Sequence, residues 1–133
     1  MVGIDTNILV RYIVQDDPVQ SEEAVNFIEK ELSENCLGFI NIIVFCELIW
    51  VLSKAYRFKK DDIIAVVKQI LMTDCFEVEL SQLIWNAVYE YEKLPADFSD
   101  CLIAELNKFQ DIKRTLTFDK QASKHSRFKL LQK

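Results

Sequence analysis

Short apolar runs alternate with pairs of helix-like stretches along this chain, and that alternation leaves few folds open. Residues 2–5, 36–40, 76–79 and 115–118 read as strands, with a further candidate at 128–131. Residues 8–14, 18 to about 35, 41–56, 60–72, 81–92 and 99–109 carry apolar side chains at helical spacing. Strands separated by helices pair in parallel, because the crossover helix returns the chain to the same edge. The pattern predicts a single α/β domain over residues 1–133: a three-layer α/β/α sandwich around a mainly parallel sheet. The first run ends on Asp5 and the fourth on Asp119, and both runs read as buried strands of that sheet. Ligands bind at the carboxyl ends of such strands, so the two aspartates are expected to meet there as a metal or acid site.

Composition removes several competing chemistries. The chain has 133 residues and only two glycines, Gly3 and Gly38, so it holds no phosphate-cradling or dinucleotide loop. Its four cysteines (Cys36, Cys46, Cys75, Cys101) lack Cys-x-x-Cys spacing, and with one histidine a zinc site is not expected. They read as unpaired thiols of a reducing compartment. His125 lies in a basic, polar stretch and reads as a surface residue, which argues against a histidine-based triad. The longest apolar stretch, 42–52, is interrupted by Glu47 and too short for a bilayer. The start has no basic segment of the signal-peptide type. A soluble, cytoplasmic protein is the expectation.

Charge is unevenly spread. Residues 108–133 hold eight Lys/Arg against two acids, a net +6, so the preceding 107 residues carry −11 of the total −5. A basic end on an acidic body suits a polyanionic partner, and it equally suits a solvated charged tail.

The remaining carboxylates stand out against the apolar pattern. In the 41–56 helix, Ile43, Val44, Leu48 and Val51 form an expected core stripe, and Glu47 falls inside it. A glutamate there needs either a buried Arg or Lys partner or a metal ion, since an unpaired one costs several kcal/mol, roughly. Asp97 and Asp100 are three apart at the start of the 99–109 helix, where the helix dipole favours them. Each could serve as a helix cap, as could Asp5 and Asp119. If Asp97 or Ser99 caps, Asp100 is free for other work. Carboxylates without His or Cys suit Mg²⁺ or Mn²⁺ better than Zn²⁺. With a basic rim, that set implies phosphodiester hydrolysis.

Four segments then carry a resemblance: Asp5-Thr6-Asn7-Ile8-Leu9, Glu47-Leu48-Ile49-Trp50-Val51-Leu52, Ala96-Asp97-Phe98-Ser99-Asp100-Cys101-Leu102-Ile103-Ala104 and Leu116-Thr117-Phe118-Asp119. In order and spacing they resemble the four motifs of PIN-domain proteins, in particular the VapC-type toxins of bacterial toxin–antitoxin pairs. The resemblance spans essentially the whole chain. It implies that Asp5, Glu47 and Asp100 are core metal-binding acids, that Asp119 is a more variable fourth, and that Asp97 shares the outer metal or water shell. It also implies that Thr6, Asn7 and Thr117 orient those carboxylates. The implied activity is Mg²⁺- or Mn²⁺-dependent endonucleolytic cleavage of single-stranded RNA. A cognate antitoxin and a homodimer are the implied partners. Two positions depart from the pattern: Asn41 stands where Ser or Thr is usual, and Glu105 where Ala is common.

Other readings remain open at this point. An RNA-processing PIN nuclease would share the chemistry without an antitoxin. A non-catalytic PIN scaffold would bind RNA or protein. A phosphoacceptor receiver domain also gathers acids on an α/β sheet, but no acidic pair follows the first strand here and no mid-chain strand ends in Asp.

Overall fold

The computed structural model describes residues 1–132, and the chain divides into two compact units, Met1–Glu79 and the part from Leu80 onward. Elements alternate in the expected order. The first unit contains β1 (Val2–Gly3), α1 (Thr6–Val14), α2 (Pro18–Asn26), β2 (Gly38–Ile40), α3 (Ile42–Lys54), α4 (Lys60–Leu71) and β3 (Phe76–Val78). The second contains α5 (Ser81–Lys93), α6 (Phe98–Phe109), β4 (Thr115–Thr117), a 3₁₀ turn (Ala122–Lys124) and β5 (Phe128–Leu130).

In the first unit β2 is the central strand, flanked by β1 and β3, and both pairings are parallel. The register sets Val2 beside Gly38 and Ile40 beside Val78. The core gathers Ile4, Leu9, Ile28, Ile40, Phe45, Leu48, Leu52, Ile63 and Val67, all buried. Each helix start obeys local chemistry. The Asp5 carboxylate accepts the Thr6 N–H at 2.7 Å, Asp17 accepts those of Val19 and Gln20, and Asn41 accepts that of Val44. Pro18 occupies the first turn of α2, where its missing N–H is no loss.

Two expectations change. The helix expected to run to about residue 35 stops earlier: α2 passes into a π turn, Phe27–Glu31, and Leu32 is already extended. Ser33 and Cys36 then close a tight turn through mutual backbone bonds, with the Ser33 hydroxyl accepting the Asn35 N–H. Ser and Asn here favour the turn over further helix. The strand runs before Asp5 and Asp119 are buried only in part: Ile4 lies in the core, whereas Val2 is 42 % exposed and Leu116 58 %. In the second unit β4 and β5 pair in parallel, placing Thr115 beside Phe128 and Thr117 beside Leu130.

In the second unit α5 and α6 pack as neighbours over Ile84, Ala87, Val88, Phe98, Cys101 and Leu102. Tyr91 meets Phe98 edge to face, with ring centroids 5.9 Å apart. Among the described residues no helix is long and apolar enough to cross a membrane. Among the described residues no disulfide joins the four cysteines, and burial raises the thiol pKa of Cys46 and of Cys75.

Gly38 is closely packed in the first sheet. A Cβ there would press on the ends of the Ile4 and Leu32 side chains, the latter at 2.9 Å. Gly38→Val is therefore expected to destabilise the fold by about 1–3 kcal/mol through overpacking. Urea unfolding against the unsubstituted protein measures this, and an unchanged midpoint would contradict it.

Candidate functional site

In the first unit β1 leads directly to Asp5, whose Oδ1 caps α1 through the Thr6 N–H. Asp5 is exposed, and its second oxygen takes no part in that cap. Glu47 projects from the middle of α3 into the same groove, a space of about 600 Å³ that Asp5, Thr6, Asn7, Arg11 and Tyr56 also line. Glu47 is not on the core face, as the apolar pattern had suggested. It is exposed, and the buried residues of α3 are Phe45, Leu48, Ile49 and Leu52. Ile43, taken above as core, is 74 % exposed. The helix is apolar nearly all round, so its composition could not reveal which stripe turns inward. No buried partner for Glu47 is needed.

In the second unit α6 opens at Asp97. Asp100 lies at the third helical position and reaches back to the Asp97 backbone N–H at 3.3 Å. Asp100 is thus engaged at the helix start rather than free of it. It is half-buried, and desolvation raises its pKa, with the charges of Asp97 and Asp119 adding to the rise and the Asp97 N–H opposing it. Asp119 sits just beyond β4. Its Oδ1 accepts the N–H groups of Gln121 at 2.8 Å and Ala122 at 3.2 Å, while its own N–H donates to the Thr117 hydroxyl at 3.0 Å. The Thr117 hydroxyl thus holds the Asp119 backbone. The three aspartates form one electrostatic neighbourhood within this unit.

The family model for the PIN domain matches residues 2–127 of this chain. A VapC ribonuclease of Aquifex aeolicus (strain VF5) is 30% identical over 122 residues, covering 91% of this chain and 89% of that protein. The chain belongs to the PIN domain family. Its α/β fold is that of the family, and the segments that carried the resemblance lie within the matched residues.

Among the described residues of this PIN domain, no three His, Cys, Asp or Glu side chains are gathered into a ready-made metal cage. Mg²⁺ asks for less, since it is usually held through one or two carboxylates with waters completing the octahedron. The donors in each unit are carboxylates without a nitrogen or sulfur ligand, which fits a hard cation. The Thr6 hydroxyl adds a second observation. It is buried beside Asp5 and has no hydrogen-bond partner among the described residues, an orphan that a bound water or ion would satisfy.

Sequence reasoning missed a second polar cluster. His125 is not a surface residue but 1 % exposed, and Glu105 is 3 % exposed. The His125 Nε2 contacts Glu90 on α5, and Nδ1 accepts the Arg127 N–H at 3.0 Å. That donor places the histidine proton on Nε2. Glu90 bonds Glu105, and Asn86 Nδ2 donates to Glu105 at 3.4 Å. The signal was present in the spacing: Ala122, His125 and Phe128 recur every three residues, and all three are buried.

Burial, and then the bond and charge of Glu105, raise the Glu90 pKa from the ordinary 4.5 to about 8. Desolvation lowers that of His125, against the pull of Glu105. Two carboxyls in contact share a proton. The folded state therefore keeps at Glu90 a proton that the unfolded chain releases above about pH 4.5, so this contribution to stability falls as pH rises towards 8. His125 acts oppositely, and only below its ordinary value of 6.5. From pH 6.5 to 8 the protein is expected to lose stability, and Glu90→Gln is expected to flatten that slope. Thermal unfolding across this range checks it; equal slopes in both proteins would refute the shared proton.

Proposed function

We propose that this PIN domain is a metal-dependent endoribonuclease that cleaves single-stranded RNA, and that it is the toxin of a toxin–antitoxin pair. The observation that carries the reading is the placement of the motif acids. Asp5 and Glu47 share one groove, and Asp100 lies in the field of Asp97 and Asp119. In this reading Asp5, Glu47, Asp100 and Asp119 serve catalysis and hold Mg²⁺ or Mn²⁺, and Asp97 supports them. When bound, the ion supplies an activated water and offsets charge on the phosphoryl oxygens. Asp5 keeps one oxygen on the α1 backbone and offers the other. Asp119 is oriented by Thr117 and by the turn it caps. Thr6 and Asn7 line the groove beside Asp5 and supply polar groups for ordered water. Exposed Lys113, Arg114, Lys120, Lys124 and Lys129 in the second unit provide cations for the RNA backbone.

The similarity to a VapC ribonuclease supports the toxin reading. An apolar cleft of about 310 Å³ lined by Leu9, Tyr12, Ile13, Val66, Ile70 and Phe76 suits an apolar segment of an antitoxin. A cytoplasmic homodimer completes the proposal.

Asparagine caps a helix as well as aspartate does, so Asp5→Asn keeps the α1 cap and removes only the charge. Asp5→Asn and Asp100→Asn are each expected to lower cleavage of a defined RNA in Mn²⁺ by about 100-fold or more, with unfolding nearly unchanged. EDTA should abolish cleavage by the unsubstituted protein. Glu47→Gln should behave similarly, since Glu47 is exposed and its loss leaves no buried charge unpaired. Full activity in either aspartate variant, or in EDTA, would overturn the reading.

A further inference from the structure

Arg11 lies one helical turn beyond Asn7 in α1, so the two side chains share a face. Both line the groove of Asp5 and Glu47 and also a neighbouring groove of about 580 Å³ that includes Gln20, Ala24 and Phe27. Among the described residues lining the acidic groove, Arg11 alone is cationic. Its guanidinium is tied down by three side chains. Nε donates to Gln20 Oε1 at 2.7 Å, and Nη1 donates to Asp16 Oδ1 at 3.0 Å and to the Tyr56 hydroxyl at 3.4 Å. Tyr56 in turn donates to Asp16 Oδ2 at 2.9 Å. These bonds use Nε and Nη1, and the fork carries two further N–H donors on Nη2.

An exposed Arg–Asp pair adds little to stability by itself. The position of this one suggests another use. A phosphodiester entering a groove that holds Asp5 and Glu47 meets like charge, and a fixed cation in the wall offsets it. Arginine suits that task because its planar fork matches phosphate oxygens and stays charged at any working pH. Holding the side chain in advance reduces the conformational entropy lost when substrate binds. The neighbouring groove also carries Glu23 and Glu31, so Arg11 is the cation where two acid-lined grooves meet.

We infer that Arg11 contacts a backbone phosphate of single-stranded RNA where the two grooves meet, with Asp16, Gln20 and Tyr56 setting its fork. The inference rests on the RNA-cleaving reading proposed above. It assigns Arg11 to substrate binding and makes Asp16 and Tyr56 positioning residues.

The test is equilibrium binding of a labelled single-stranded RNA oligonucleotide to the full chain carrying Asp100→Asn, in EDTA and over a range of salt. Adding Arg11→Gln should weaken binding about tenfold for any sequence and reduce the slope of log K against log salt by about 0.7. Arg11→Lys keeps the charge without the fork and should fall between. Asp16→Asn keeps the cation but loosens its fork, so binding should weaken less than in Arg11→Gln, with the salt slope unchanged. A simple strut between α1 and α2 predicts otherwise: Arg11→Gln and Asp16→Asn would then shift the unfolding midpoint alike and change RNA binding alike, and that result overturns the inference. If the unsubstituted chain cleaves RNA while Arg11→Gln binds it undiminished, the inference alone falls. If the unsubstituted chain neither cleaves nor binds RNA, the cleavage reading falls and takes this one with it.

Discussion

A carboxylate accepting backbone N–H groups at the start of a helix or turn is the interaction on which much else here depends. Asp5 does this for α1, Asp100 for the entry to α6, and Asp119 for the 3₁₀ turn after β4. The first N–H groups of a helix lack partners within it and carry partial positive charge, so an acid there is both a cap and an electrostatically stabilised anion. One bond therefore does two things. It ends a strand and begins a helix at a defined residue, and it holds an acid in a fixed orientation with an oxygen to spare. Capping and a functional role are compatible in this geometry, because the cap on Asp5 leaves its second oxygen uncommitted.

Placement of charge elsewhere follows burial rather than sequence composition. Glu47 sits in one of the most apolar stretches of the chain and is exposed, whereas His125 sits in a basic, polar stretch and is buried. In the second unit burial and the neighbouring Glu105 keep a proton on Glu90, and desolvation disfavours charge on His125. Glu90, Glu105 and His125 come from α5, α6 and the segment after the 3₁₀ turn, so their bonds tie together the elements that carry Asp100 and Asp119. Glu105 is central to that cluster.

Much of the architecture was legible beforehand. Element order, the parallel pairing, the caps at Asp5 and Asn41, and the Asp97–Asp100 start of α6 all rest on contacts within a few residues, which local sequence encodes. The early end of α2 was less so, because Ser33 and Asn35 had to outweigh a helical pattern that continues through them. The motif acids were identifiable by type and spacing. Which of them share a groove was not, since Asp5 and Glu47 are brought together by β1, α1 and α3 packing around a common core.

The sequence by itself determined the family and the α/β alternation, because periodicity, capping and motif spacing are properties of the chain read locally. Only the tertiary structure decided which stripe of α3 turns inward, that His125 is buried, and that Arg11 is held by Asp16, Gln20 and Tyr56 beside the acids. An apolar helix such as α3 offers several equally good faces, and a polar residue can be buried once partners arrive from other elements. Those outcomes depend on what packs against each face, and that is settled only when distant segments meet.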